Sequence, residues 1–143
     1  MKISVFVFFI LFASCTDKVI EGSKLPKSTV KFIQSLGVLE SNEQILFFYT
    51  SLTNETSGNF ITAQRVASYW QNKTSPQKNF IKSAFYSEID SIGIKYGDGF
   101  EFTSAFVITK KDGEKFEVYF NHTKENMDKL HEKVKELWEQ SKK

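Results

Sequence analysis

The chain has 143 residues, a formal charge of +2 and one cysteine, a length suited to a single domain. So small a charge excludes the strongly basic footprint of a nucleic-acid-binding protein, or of a domain held on an acidic membrane by electrostatics alone. One cysteine excludes an internal disulfide framework, so stability must come from apolar burial, for which the 15 Phe residues are well suited.

The first element is a leader. Met1 and Lys2 precede an apolar run at 3–13, about eleven residues, enough for a signal h-region but short of the roughly twenty that a membrane-spanning helix needs. The run ends at Phe12-Ala13-Ser14-Cys15, which resembles the lipobox of bacterial lipoproteins: Leu, then Ala or Ser, then Gly or Ala, then Cys. Phe12 departs from Leu but stays apolar, while Ala13 and Ser14 are the small residues that a signal peptidase must fit. The resemblance implies that 1–14 is removed and that Cys15 becomes an acylated first residue, anchoring the protein to a membrane of the bacterial envelope. Each buried methylene contributes about 0.8 kcal/mol and one chain is marginal, so several chains hold firmly. The bland alternative is an ordinary secretory signal cleaved nearby, with an unlipidated cysteine. Thr16 occupies the position where enterobacterial lipoproteins use Asp for inner-membrane retention, and Asp17 comes one residue later, so inner and outer membrane both stay open. Losing Lys2 leaves a charge of about +1.

Residues 15–24 are polar and mixed in charge, with Gly22 and Ser23, and read as a short tether. The remaining 25–143 reads as one domain. Pro26 is placed to open a short helix, Val30, Ile33 and Leu36 recur at helical spacing, and Gly37 suits its left-handed closing position. Seven short β-branched and aromatic runs follow, at 45–50, 59–62, 65–69, 80–86, 89–96, 100–109 and 115–120. Phe102, Ser104, Phe106 and Ile108 share one face and Phe116, Val118 and Phe120 another, a pattern that predicts one covered sheet face. Asp98-Gly99 and Asp112-Gly113 are hairpin signals, because Gly accepts positive φ. The chain closes with a helix at 124–141, capped by Asn121 or Thr123. Its stripe of Met127, Leu130, Val134, Leu137 and Trp138 predicts that it covers its own sheet, with Trp138 plugging one end. The opposite face mixes both charge signs, unlike a membrane-surface helix.

The order of these elements resembles that of bacterial pleckstrin-homology-like (PH-like), GRAM-type domains. Thr62-Ala63-Gln64-Arg65 resembles the family's Thr-x-x-Arg turn, Tyr86-Ser87-Glu88-Ile89-Asp90-Ser91-Ile92 its aromatic-x-acid-Ile run, and Asp112-Gly113-Glu114-Lys115-Phe116 its late hairpin. The resemblance implies an α+β, mainly β fold: a bent, partly open seven-stranded barrel with a C-terminal amphipathic capping helix. It implies no reaction, since PH-like folds bind lipids, peptides and proteins without shared catalytic machinery.

The residues bear on ligand class. Phosphoinositide-binding PH domains place cations around their first hairpin, because a multiply charged phosphate needs convergent donors. Here that loop, 51–58, carries Glu55 and no basic residue, and Lys73, Lys78 and Lys82 are spread along another segment, so phosphoinositide is not the expected ligand. His122 and His131 form no metal pattern; an edge-of-core role suits His131 and a cap or turn role His122. Asp90, Asp98 and Asp112 are separated by turns, and no Gly-x-Ser-x-Gly occurs. The chain therefore reads as non-enzymatic, with no metal and no cofactor. Sequons at Asn54, Asn72 and Asn121 follow from a composition rich in Asn, Ser and Thr. The aromatic residues Phe47, Tyr49, Tyr69 and Trp70 can build a ligand pocket or a core; core is the preferred reading, with Trp70 the best candidate for an exposed contact. Leu52 and Trp70, beside polar loops, are the expected protein contacts, and the expected partner is an envelope protein. A different reading has the sheet and last helix enclosing an apolar cavity for a carried ligand; a filled barrel favours the interaction module and an internal void the carrier. Oligomeric state is left open.

Overall fold

Apolar-rich runs punctuated by turn residues fold the described residues into eight strands, accompanied by two α-helices. The structure, a computed structural model, describes residues 19–97 and 103–143. Its elements run β1 (Ile20–Glu21), α1 (Lys27–Ser35), β2 (Ile45–Tyr49), β3 (Ser57–Thr62), β4 (Arg65–Trp70), β5 (Phe80–Phe85), β6 (Ile89–Lys95), β7 (Ser104–Lys110), β8 (Lys115–Phe120) and α2 (Lys124–Gln140). The leader, Cys15 and the Asp98-Gly99 turn lie outside the described residues. All pairings are antiparallel, in two sheets ordered β1-β2-β3-β4-β5 and β6-β7-β8. The seven strands β2 to β8, with the two-residue β1 at one edge, lie in two sheets that do not close on each other and are followed by a helix, the bent, partly open arrangement expected for a PH-like domain.

One expectation is corrected. Ile20 and Glu21, assigned by composition to the tether, form β1 against Phe48 and Phe47, and a 3-10 turn follows at Gly22–Lys24. Gly22 passes so close to β2 that a Cβ would lie 1.6 Å from the Ile45 carbonyl oxygen, so no side chain fits there. The first sheet is covered on both faces. Its inner row Phe47, Ile61, Val66 and Ala84 packs toward Phe106, Val118 and Phe120 of the second sheet and Met127 and Val134 of α2. Its outer row Phe48, Phe60 and Ala67 packs under Leu25, Ile33, Val38 and Leu39, contributed by α1 and its flanks. Burial on both sides is why β3 and β4 do not alternate cleanly.

The β3–β4 hairpin ends in a buried clamp. Thr62 Oγ1 accepts from the backbone N–H groups of Gln64 and Arg65, both at 3.0 Å, and donates to Glu43 Oε1 at 2.7 Å. The Arg65 guanidinium meets Glu43 through Nε at 2.9 Å and Nη2 at 2.8 Å, and lies 4.0 Å from the centre of the Phe85 ring. The Thr-x-x-Arg sequence is thus a turn tied to the segment before β2. The Tyr86-Ser87-Glu88 run makes the corner between the sheets: Tyr86 is buried and donates its hydroxyl to the Thr62 carbonyl at 3.1 Å, and Glu88 accepts from Phe85 N–H at 2.8 Å.

Thr123, rather than Asn121, caps α2, accepting from Asn126 N–H at 3.3 Å. The predicted stripe faces the core; Met127, Leu130 and Val134 are buried, and Leu137 and Trp138 pack at its margin. Trp138 is half-buried rather than a full plug, donating Nε1–H to the Ile89 carbonyl at 3.3 Å. His131 takes the edge-of-core position expected of it, donating from Nε2 to the Ile92 carbonyl at 3.1 Å beside the Phe106 ring. Gly37 and Gly113 carry the positive φ values their turns require, +73° and +90°.

Candidate functional site

The end of the first sheet opposite the clamp is where its inner face turns polar. Across β2, β3 and β4, Tyr49 stands beside Asn59 and Asn59 beside Ser68; one row further out, Ser57 stands beside Trp70 and Trp70 beside Phe80. The free edge of β8 rests on this region, fixed by Asn59 Oδ1 accepting from Tyr119 N–H at 2.9 Å. Beyond that contact the sheets diverge and leave a cleft of about 520 Å³, within the range of small-ligand sites. Tyr49, Ser57, Asn59, Ser68, Trp70 and Phe80 line one side, and Lys95, Thr103 and Tyr119 the other. Phe80 and Tyr119 are about 40% exposed, so an aromatic rim surrounds a polar floor. The floor offers hydroxyls, a carboxamide and one ammonium, groups that hydrogen-bond a ligand and orient it.

Leu52 and Trp70, eighteen positions apart in the numbering, come together here. Both line a shallower groove of about 460 Å³ with Thr53, Thr56, Gln71 and Lys73, and the Trp70 side chain is shared between groove and cleft. Leu52 is 57% exposed and Trp70 half-buried. Their loops are tied down. Gln71 N–H donates to the Thr56 carbonyl at 2.7 Å, and Asn72 Oδ1 accepts from the N–H groups of Thr74 at 2.9 Å and Ser75 at 3.1 Å. Tyr69 donates its hydroxyl to the Asn54 carbonyl at 2.5 Å, and burial pushes its phenol above the ordinary value, so it stays a neutral donor. Asn54 Nδ2 in turn donates to Thr29 Oγ1 of α1 at 2.9 Å. The sequons at Asn54 and Asn72 are therefore loop-ordering residues.

Lys82 forms an ion pair with Glu114 at 2.6 Å, which bridges β5 to the β7–β8 hairpin. Among the described residues, no group of three or more His, Cys, Asp or Glu side chains is placed to hold a metal ion. No described helix is long and apolar enough to cross a membrane.

Phe80, Tyr119, Asn59 and Ser68 were not singled out as site residues from sequence, and Tyr49, weighed as pocket or core, was read as core. A signal was present, since Asn59 and Ser68 are polar residues on the same strand faces as the apolar Ile61 and Val66, and Asn is depleted in strands.

No family profile matches the chain, and no curated protein sequence does. Among solved structures the chain is similar to a DUF1696 family protein with a pleckstrin-homology domain from Shewanella loihica PV-4. The two are 15% identical, the match covers 82% of this chain and 97% of that one, and the TM-score is 0.49.

Proposed function

We propose that the protein is a lipid-anchored, non-enzymatic PH-like (GRAM-type) interaction module of a bacterial envelope, and that it docks an envelope protein at the open end of its barrel. The observation that carries this reading is the meeting of Leu52 and Trp70 in one groove on rigid loops, beside the exposed rings of Phe80 and Tyr119. An aromatic anchor within a polar rim is a common hot-spot arrangement, and preordered loops reduce the entropic cost of docking. The space between the sheets is occupied by fully buried side chains such as Phe106, Phe120 and Met127, which favours a docking module over a carrier with an internal cavity. The loop at 51–58 offers no basic side chain, which speaks against phosphoinositide headgroups as ligand.

The test is crosslinked capture from native envelopes with the full chain, alongside Leu52→Ala, Trp70→Ala and Cys15→Ala variants. Leu52→Ala should reduce capture of the same partner severalfold with an unchanged thermal midpoint, Trp70→Ala should reduce it further, and Cys15→Ala should release the protein from the membrane fraction or leave it unprocessed. Undiminished capture by Leu52→Ala and Trp70→Ala would remove the docking reading. A mature mass lacking acyl chains on Cys15 would remove the anchor. Strong, salt-sensitive binding to anionic liposomes would put electrostatic lipid recognition in place of protein docking.

A further inference from the structure

A sheet edge presents unpaired N–H and C=O groups to any other strand, and proteins shorten, charge or cover their edges to prevent chance pairing. Among the described residues, three of the four edges are managed in this way. β1 is two residues long. β6 is covered by α2, whose Trp138 and His131 donate to the Ile89 and Ile92 carbonyls. The edge of β8 rests on the first sheet, where Tyr119 N–H donates to Asn59. The fourth edge is β5, six residues with no register break against β4 and no described strand on its outer side. Of the six exposed large apolar side chains among the described residues, β5 carries three: Phe80, Ile81 and Phe85, 43%, 41% and 37% exposed. Its one charged residue, Lys82, is paired with Glu114 of the same chain at 2.6 Å, so pairing at this edge would bury no uncompensated charge.

The register against β4 tells which groups face outward. Tyr86 N–H donates to the Gln64 carbonyl at 3.0 Å, and hydrogen-bonded pairs recur at every second residue of an antiparallel ladder. Ala84, Lys82 and Phe80 therefore bond to β4, while Ile81, Ser83 and Phe85 direct their backbone groups to the open side. Phe85 N–H accordingly meets Glu88 Oε2, at 2.8 Å, and not β4. The side chains of these same three residues lie on the outer face of the sheet, beside Tyr69, Ala67 and Arg65.

A second copy of the chain suits this edge. With Ser83 opposite Ser83 of the other copy on a two-fold axis, Ile81 of each chain stands beside Phe85 of the other, an aliphatic–aromatic cross-strand pair. Lys82 then stands beside Ala84. An axis at Lys82 would instead set two ammonium groups side by side, and a slip of one residue would turn the apolar pairs to opposite faces. At each end of the paired stretch Phe85 N–H passes from the exposed Glu88 carboxylate to the Ile81 carbonyl of the other copy.

We propose that the protein forms a two-fold dimer through β5, which joins the first sheets of two copies into one continuous sheet centred on Ser83. The interface uses neither Leu52 nor Trp70, and it does not rest on the docking reading.

The experiment reads association and register together. Equilibrium sedimentation of the full chain in density-matched detergent, from about 1 to 500 µM, should show reversible conversion to twice the chain mass. Ile81→Lys, at an exposed position, should keep the circular dichroism of the parent and weaken association by about tenfold, since an edge lysine opposes strand addition. Ser83→Pro, which removes an N–H directed away from β4, should do the same; should it disturb the fold, Ile81→Lys decides. Leu52→Ala should leave association unchanged, so failure of this interface and failure of the docking groove are told apart. In native envelopes Ser83→Cys should give a disulfide-linked dimer on mild oxidation, because hydrogen-bonded partners stand about 5.5 Å apart at Cα, within disulfide reach. Lys82→Cys should crosslink far less, with the parent chain as the control for Cys15. The proposal is overturned if the chain stays monomeric across that range, if Ile81→Lys associates as tightly as the parent, or if Lys82→Cys crosslinks as well as Ser83→Cys.

Discussion

Glu43→Gln is the substitution that most directly tests how this fold is held. The Glu43 side chain is 3% exposed and its two oxygens accept four hydrogen bonds: from Arg65 Nε at 2.9 Å, Arg65 Nη2 at 2.8 Å, Thr62 Oγ1 at 2.7 Å and Glu40 N–H at 3.2 Å. Gln preserves the shape but removes the charge and turns a donor toward one of the guanidinium nitrogens. Arg65, itself buried, keeps only Glu40 at 3.2 Å, and that carboxylate is 64% exposed and screened by water. Removing one member of a buried pair costs about 3–5 kcal/mol because the other charge is left uncompensated. This is a large share of the 5–15 kcal/mol typical of a domain.

Urea unfolding measures it. With a slope of about 1–3 kcal/mol per molar, a loss of that size moves the midpoint by more than about 1 M. The double replacement Glu43→Leu with Arg65→Met should recover most of the loss, since paired apolar residues of similar volume are often as stable as a buried ion pair. A Glu43→Gln midpoint within the error of the parent would refute the assignment of Arg65 as a buried charge dependent on Glu43. A double variant as unstable as the single would show that packing against Phe85, and not charge compensation, holds the clamp.

Trp138→Ala should cost about 2 kcal/mol, below the 3–5 kcal/mol of a fully buried Trp, because the ring is half-buried and contributes one hydrogen bond to Ile89; thermal unfolding checks it, and a loss under about 0.5 kcal/mol would detach α2 from the core account. Glu114 should titrate below its ordinary value, through its hydrogen bond to Lys82 first and to Lys110 second. A depressed carboxylate stabilises fully above the ordinary carboxylate range and loses that contribution as pH falls through its folded midpoint. Carboxyl-carbon NMR reads this directly, and Lys82→Met should return the midpoint toward normal.

How much was legible in the sequence follows from the range of the interactions involved. Strands and helices rest on local periodicity and turn residues, so the seven runs, the last helix and the Gly37 and Gly113 turns could be read directly. Ile20 could not, because β1 exists only through its pairing with Phe48, a contact between distant residues. The double covering of β3 and β4 was hidden for the same reason, since α1 supplies the second layer from outside the sheet. Trp70 and Leu52 could be picked out as candidates because large apolar residues next to polar loops are conspicuous. Tyr49, Asn59 and Ser68 were not, because their significance is a register: three separate strands place them in one row, and neither Asn nor Ser is unusual on its own. The Thr62–Arg65 motif was noticed as a resemblance, while its physical basis, the distant Glu43, is visible only in three dimensions.

Along β3 and β4 the molecule separates two tasks. The clamp at Thr62 and Arg65 and the open end at Ser57 and Trp70 lie at opposite ends of six-residue strands, about 17 Å apart at the usual rise. Because β1 runs antiparallel to β2 with Ile20 opposite Phe48, the chain enters the sheet beside Tyr49, at the open end. Only residues 16–18 separate Cys15 from the described fold, and four extended steps span at most about 14 Å. An acylated Cys15 would therefore hold the groove and cleft close to the lipid surface, where a membrane-embedded partner presents itself at high effective concentration. Inserting about fifteen Gly and Ser residues after Asp17 allows that end to move away without altering any contact within the fold, since a flexible segment of that length adds an end-to-end distance on the order of 20 Å. The lengthened chain should stay in the membrane fraction and keep its urea midpoint, yet capture its partner severalfold less well. Equal capture would show that the partner reaches the groove from the aqueous side, and that the short spacing between anchor and sheet has no part in recognition.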